Sequence, residues 1–234
     1  IIAGYPWFEP WGRDTFISLP GLLLVTRRFD EAKDVIRDFM RLMKGGIIPN
    51  FVADKTGEPS YNTADATLWY INTVFKYVEY SADFSFVKRE LWDKMVEIIE
   101  SHKRGTMFRI RLDDDGLLMH GPGLTWMDAS VGGKIVTPRD GKAVEIQALW
   151  FNAIKIMEFF ANKFNEINLA QEYSDMAELA RESFNKKFWN PKSGCLYDVI
   201  DFEGTDSAIR PNQIFSVSLS YNMLSKEKNS KIIE

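Results

Sequence analysis

A carboxylic acid two residues from an indole, inside the glycine-punctuated stretch Gly121-Pro122-Gly123-Leu124-Thr125-Trp126-Met127-Asp128-Ala129, is the feature of this sequence best suited to chemistry. The two glycines and the proline turn the chain too sharply for a helix interior, so Trp126 and Asp128 belong on a loop. A carboxyl held against apolar aromatic surface loses hydration, which disfavours its charged form and raises its pKa. It can then keep a proton near neutral pH, as a general acid for glycoside cleavage must. The competing reading is architectural: Asp128 caps the next segment while Trp126 packs in the core.

A second cluster lies near the amino terminus. Residues 4–13 hold two prolines, two glycines and four aromatics, including Trp7 and Trp11, and so form a packed, shaped loop rather than a helix or a solvated linker. Asp14 or Thr15 then caps a helix in which Phe16, Ile17, Leu19, Leu22, Leu23 and Val25 are dense enough for burial on most sides, with Pro20 near its first turns. Arg13 and Asp14 stand at this junction, either as a capping carboxylate with a local ion pair or as a polar pair offered to a ligand. A third crowding of polar and aromatic residues, Asn62-Thr63-Ala64-Asp65-Ala66-Thr67-Leu68-Trp69, opens a helix reaching about Tyr80.

The elements that must position these groups are mainly helical. Apolar positions recur at spacings of three and four over residues 31–43, stopping at Gly45-Gly46, and again over 84–103, so the first hundred residues read as two helical hairpins. Between about 104 and 142 the helical period disappears. Residues 107–112 and 117–120 read as a small β-hairpin around the solvated turn Asp113-Asp114-Asp115-Gly116, which lacks the spacing of a calcium loop. A loop of this length in a helical chain tends to carry function. A helix from Glu145 to about 164 follows, then one over 167–188 with Leu169, Tyr173, Met176, Leu179, Ala180 and Phe184 inward. Residues 195–200 read as one short strand, and Arg210-Pro211-Asn212-Gln213 opens a helix running to about Leu224, with another starting at Lys226.

Composition narrows the function classes. With 45% hydrophobic and 26% charged residues the chain is globular, and a formal net charge of −4 gives no nucleic-acid or anionic-membrane footprint. Its 14% aromatic share suits sugar rings as well as a core. One cysteine, Cys195, and two histidines, His102 and His120, rule out a disulfide or a zinc constellation within the chain and fit a reducing compartment, so the expected location is the cytoplasm. No apolar run approaches the roughly 20 residues that span a bilayer, and no signal peptide opens the sequence. Both ends read as the middle of something longer. No cofactor or metal is expected.

Taken together, Tyr5-Pro6-Trp7-Phe8-Glu9-Pro10-Trp11-Gly12-Arg13-Asp14-Thr15, Asn62-Thr63-Ala64-Asp65-Ala66-Thr67-Leu68-Trp69, Leu124-Thr125-Trp126-Met127-Asp128-Ala129, Val144-Glu145-Ile146-Gln147-Ala148-Leu149-Trp150 and Arg210-Pro211-Asn212-Gln213 resemble, in order, the motifs of the amylo-α-1,6-glucosidase domain of glycogen debranching enzymes. The resemblance implies an all-α fold, an (α/α)6 toroid of six helical hairpins like that of glucoamylases, with small β-hairpins in its loops. It extends over residues 1–234 as one partial domain, about the first two-thirds of the family's. It implies hydrolysis of α-1,6-linked glucose at branch points of glycogen or limit dextrin, with inversion.

The resemblance also implies the roles. Asp128 matches the general acid; Arg13 and Asp14 match the pair holding the hydroxyls of the terminal glucose; Asp65 and Trp69 line the same pocket, with Trp126, Trp7 and Trp11 as aromatic contacts. Glu145, Gln147, Arg210, Asn212 and Gln213 are further substrate-binding candidates. The family's general base is a glutamate in a later motif that does not occur before Glu234, so the isolated chain is expected to be nearly inactive and to self-associate through helix faces left bare. Open alternatives are another six-hairpin enzyme, such as a trehalase, mannosidase, rhamnosidase or sugar phosphorylase, and a glycan-binding domain without catalysis. A helical-repeat scaffold fits poorly, since no fixed sequence period is found.

Overall fold

The computed structural model describes residues 10–53 and 56–233. The chain divides into two compact units, Ile1–His102 and Lys103–Glu234.

In the first unit, helix Gly12–Leu19 runs directly into a π-helical turn, Pro20–Leu24. Pro20 accounts for the change: it has no N–H to give to the carbonyl four residues back, and its ring crowds that carbonyl. The ladder widens so that Val25 N–H reaches Pro20 O at 3.0 Å, and the Phe16 carbonyl is met by Thr73 Oγ1 at 2.9 Å. The helix begins at Gly12, ahead of the cap expected at Asp14 or Thr15, and Pro20 sits at its far end. The cap comes instead from a distant residue: Gly12 N–H donates to Asn50 O at 2.8 Å and Arg13 N–H to Asn50 Oδ1 at 3.2 Å. That close approach requires glycine, because a Cβ at position 12 would stand 2.3 Å from Pro49 O.

Burial along this helix is one-sided. Phe16, Leu19, Leu23 and Leu24 are buried, but Ile17, Leu22 and Val25 are 49%, 53% and 61% exposed, against the expectation of burial on most sides. Apolar density alone does not say on which sides a neighbour stands. The hairpin closes through helix Phe29–Arg41, in which Ala32, Ile36 and Phe39 are buried as the spacing predicts, together with Met40, while Val35 is half-buried and Leu42 and Met43 fall past the helix end. Ala66–Ser81 is followed by a helical run of Phe84–Phe86, the π-helical turn Val87–Leu91 and Trp92–Arg104, and meets it where the Tyr77 and Phe86 rings lie edge to face at 5.5 Å. Ala66–Ser81 packs on both helices of the first hairpin and is buried over 12 of its 16 residues, so it is apolar on nearly every side. Phe51–Val52 and Pro59–Ser60 pair antiparallel, and Trp11 bridges to Phe51.

In the second unit, Met107–Arg109 is a 3-10 turn and not strand, because Phe108 and Arg109 both adopt positive φ, 59° and 60°. The expected hairpin is shorter, Arg111–Leu112 against Leu118–Met119. Its acidic turn is anchored: Lys142 Nζ lies 2.7 Å from Asp113 and 2.6 Å from Asp115. Lys142–Ala143 forms the edge of a three-stranded antiparallel sheet with Val199–Ile200 and Thr205–Asp206. Helix Val144–Lys163 follows at once, buried over 15 of its 20 residues, and pairs with Ile167–Lys187. In that partner helix Tyr173, Ala180 and Phe184 are buried as expected, while Leu179 is exposed.

The single strand expected over 195–200 is two. Cys195–Leu196 pairs with Trp189–Asn190, and Val199–Ile200 joins the three-stranded sheet. The break is Asp198, whose N–H donates to Asp206 O and whose carbonyl accepts from Val144 N–H. The helix expected from Arg210 to Leu224 is likewise shorter: a 3-10 turn Pro211–Ile214 and one α-turn Phe215–Ser218, with Lys226–Ile233 forming the next helix.

Candidate active site

The Trp126–Asp128 loop is built from its ends inward. Gly121 N–H donates to Phe108 O at 3.0 Å, and Gly123, at φ 68°, donates to Pro138 O at 2.9 Å in a conformation that favours glycine. Past Asp128 the chain enters the hairpin Ser130–Val131 with Lys134–Ile135, so Asp128 caps no helix. Thr125 is buried, Trp126 is 48% exposed, and Asp128 is half-buried. The loop therefore presents an indole and a carboxyl at the surface of a fixed frame.

That frame is a buried ion network centred on Asp198. An ionised carboxylate offers about four lone-pair sites, and here four donors meet them. Arg139 Nε reaches Oδ2 at 2.8 Å and Nη2 reaches Oδ1 at 2.9 Å; Arg210 Nη1 reaches Oδ2 at 2.6 Å; Asn212 Nδ2 reaches Oδ1 at 2.7 Å. Arg139 also grips both oxygens of Glu145, in the first turn of helix Val144–Lys163, and donates to Thr125 Oγ1 at 3.1 Å. Arg139 achieves this at φ 47°, a left-handed conformation that a long side chain adopts only when its surroundings determine it.

The electrostatics match the geometry. Burial pushes the Glu145 carboxyl above its usual range, against the pull of Arg139. Burial opposes the charge on Arg139 too, but its bonds to Glu145 and the charges of Glu145 and Asp198 outweigh it and raise its pKa. At the rim, the hydrogen bond from Arg210 holds Asp206 below the ordinary carboxylate range. Polar groups are tolerated at this depth because each is paired and hydrogen-bonded.

Asn212 ties the network to the loop: its Oδ1 accepts from Trp126 Nε1 at 2.8 Å, and its Nδ2 lies 3.6 Å from Met127 Sδ. Glu145, Arg210 and Asn212, read from the sequence as substrate-binding candidates, thus have protein partners within this network. Gln147 is fully buried, bonded both ways to the Leu118 backbone at 2.8 Å, and Gln213 Oε1 accepts from Leu196 N–H at 3.0 Å.

The first unit holds the other cluster. Arg13 pairs with Asp65, 52 residues away, and Asp14 is exposed in the first helical turn. Thr63 Oγ1 donates to Asp65 Oδ1 at 2.7 Å and accepts from Ala66 N–H at 3.1 Å, which starts the next helix. Trp69 is buried at 8% exposure, and the ring of half-buried Trp11 packs on Phe51 with centroids 5.1 Å apart. Trp7 lies outside the described residues.

Sequence reasoning missed Asn50, Thr63, Arg139 and Asp198. For Asp198 a signal existed: a carboxylate inside the apolar run Leu196-Tyr197-Asp198-Val199-Ile200 must find buried partners. Among the described residues, no group of three or more His, Cys, Asp or Glu is placed to hold a metal ion, and no helix is long and apolar enough to cross a membrane.

The sequence profile of a family described as amylo-alpha-1,6-glucosidase matches residues 1–234. The chain is 29% identical, over an alignment of 272 residues, to a glycogen debranching enzyme of Saccharomyces cerevisiae, covering 85% of this chain and 18% of that enzyme. It therefore spans less than a fifth of that relative's length. Among solved structures it is similar to a rhamnosidase from Klebsiella oxytoca with rhamnose bound, at TM-score 0.68 and 15% identity, covering 96% of this chain and 40% of that one. It is also similar to a GH78 family rhamnosidase of Bacillus sp. GL1, at TM-score 0.63 and 14% identity, covering 87% and 22%. At these identities the likeness speaks to fold alone: helical hairpins with small antiparallel strand pairs in the loops.

Proposed function

The chain belongs to the amylo-alpha-1,6-glucosidase family, and on that premise we propose that it is part of a glycoside hydrolase that releases α-1,6-linked glucose at the branch points of an α-glucan. Asp128 is the proposed general acid. The observation that carries this reading is the half-buried Asp128 on a non-helical loop whose preceding residues are tied to a buried ion network. In this scheme the Asp128 carboxyl gives its proton to the glycosidic oxygen, the C1–O bond breaks, and a water attacks C1 from the opposite face. A second carboxylate, about 6.5–9.5 Å from the acid, takes the water's proton, and the configuration inverts. The resemblance puts that base in a later motif, outside this sequence. The 234-residue chain alone is then expected to turn over poorly.

Trp126 is the proposed aromatic contact for the sugar, supported by its exposed ring. Sugar-hydroxyl binding by Arg13 and Asp14, with Asp65, Trp69 and Trp11 nearby in the same unit, rests on the family motifs. The proposed compartment is the cytoplasm, supported by the single, free cysteine, Cys195.

The deciding experiment is glucose release from a glycogen limit dextrin by the longest version of the gene product, wild type beside Asp128→Asn, with the released anomer followed by NMR. Release of β-glucose by the wild type, lowered about 10²–10⁴-fold by the substitution, is the expected result. A folded full-length protein that releases no glucose, or an Asp128→Asn variant as active as the wild type, would overturn the assignment.

A further inference from the structure

We propose that Asn212 is a positioning residue for Asp128, acting through the Trp126 indole and held in its own orientation by Asp198. The inference rests on the reading of Asp128 as general acid and adds to it a residue 84 positions downstream in the sequence that sets where the acid stands.

A primary amide has a donor end and an acceptor end, whereas an ionised carboxylate only accepts and an indole N–H only donates. Asn212 is buried between one of each. The Asp198 carboxylate, 2.7 Å away, fixes the Nδ2 end, and this turns the Oδ1 end toward Trp126 Nε1 at 2.8 Å. Turning the amide over would set oxygen against carboxylate and N–H against N–H, breaking both bonds. Only one arrangement satisfies all three groups, so the direction of the Trp126 ring follows from Asp198. Two arginines, Arg139 and Arg210, grip the Asp198 carboxylate and hold it in place, and Arg139 is itself anchored by Glu145.

The same network holds the residues on either side of Trp126. Thr125 Oγ1 accepts from Arg139 and also from Met127 N–H at 3.3 Å, and Met127 Sδ lies against the Asn212 amide. All three residues before Asp128 are thus fixed, directly or through one intermediary, by a single buried carboxylate. A half-exposed loop would otherwise let an acid wander, and a misplacement of about 1 Å can cost on the order of 10²-fold in rate.

The test uses the full-length protein with four forms: wild type, Asn212→Leu, Trp126→Phe and the double variant. Asn212→Leu is expected to lower kcat on limit dextrin at least tenfold with a smaller change in KM, and to add no further loss in the Trp126→Phe background, where there is no N–H to orient. It is also expected to change tryptophan emission relative to the wild type, and that change should vanish in the double variant. Equal kcat losses in both backgrounds, or no loss, would overturn the inference while leaving the proposed function intact. If the wild type releases no glucose, the proposed function falls, and the emission still decides whether Asn212 orients the indole: no change on Asn212→Leu overturns it. Should Asn212→Leu fail to fold, the isosteric Asn212→Asp, which turns a donor into an oxygen facing Asp198, is read in the same way.

Discussion

Arg13 grips both carboxylate oxygens of Asp65 across 52 residues of sequence, Nε to Oδ2 at 2.5 Å and Nη2 to Oδ1 at 2.9 Å. The pair joins the start of helix Gly12–Leu19 to the start of Ala66–Ser81, and it is nearly dry, with side chains 12% and 3% exposed. Removing one partner of such a pair leaves a buried charge uncompensated, at about 3–5 kcal/mol. Arg13→Ala is therefore expected to lower stability by roughly 3 kcal/mol. Arg13→Lys should fall between it and the wild type, because a lysine keeps the charge but cannot present two parallel N–H groups. Urea unfolding of the three proteins measures this, and a loss below about 0.5 kcal/mol for Arg13→Ala would show that the pair does not hold the helix starts together.

Gly12→Ala adds one methyl group where it meets a main-chain oxygen. With Pro49 O 2.3 Å from the new Cβ, the 49–50 segment must move, and with it the Asn50 groups that cap the helix. A loss of about 2–3 kcal/mol is expected, at the upper end of overpacking costs. Gly21→Ala is the control on the same helical run, since nothing lies within 4 Å of its added Cβ. Thermal unfolding that moves by the same amount for both variants would dismiss the close approach as the cause.

These interactions mark the limit of what the sequence could say. Helix Ala66–Ser81 was legible because polar and aromatic residues crowd its start, from Asn62 to Trp69. The Trp126–Asp128 loop was legible because its glycines exclude a helix. Asn50 was not, since a cap given from 37 residues away leaves no mark at the helix it starts. Nor were the left-handed conformations of Phe108 and Arg109, which turned an expected strand into a 3-10 turn. The candidate site divided in the same way. The motif residues could be named, but that Glu145, Arg210 and Asn212 converge on Asp198 depends on long-range pairing that spacing does not encode.

Helix Gly12–Leu19 and its π-turn expose Ile17, Leu22 and Val25. An uncovered apolar run of this kind drives association when no neighbour covers it. The 234-residue chain is expected to self-associate in sedimentation experiments in the micromolar range. Leu22→Ser with Val25→Ser should reduce that association while leaving stability within about 0.5 kcal/mol, because exposed side chains contribute little to the folded state. A wild-type chain that stays monomeric at high concentration would remove the case for this face.

His102 supplies an acid sensitivity of its own. It is fully buried on helix Trp92–Arg104, with Nδ1 2.8 Å from Ile98 O. A carbonyl only accepts, so Nδ1 carries the proton of the neutral ring. Burial lowers its pKa from 6.5 to about 4, with the bond to Ile98 O pulling the other way. The folded protein therefore holds this ring neutral at pH values where the unfolded chain protonates it. Stability from this site is complete above pH 6.5 and falls as the pH drops below that value, levelling off near pH 4, where the folded ring also takes its proton. At 1.36 kcal/mol per unit the full loss is roughly 3 kcal/mol, with roughly 2 kcal/mol already gone at pH 5. Asp83 and Glu90, held low by hydrogen bonds from Lys33 and Arg37, act in the opposite half of the range: their contribution is present above the ordinary carboxylate pKa and is lost at more acid pH. The second histidine, His120, is also buried, so the comparison with a His102 variant is what separates the His102 contribution. Urea unfolding at pH 7.5 and pH 5.2 should show the wild type losing about 2 kcal/mol more than His102→Gln, which has no proton to take up. Equal losses in the two proteins, or a His102 ring titrating near 6.5 by NMR, would mean that the imidazole is solvated and that acid sensitivity arises elsewhere.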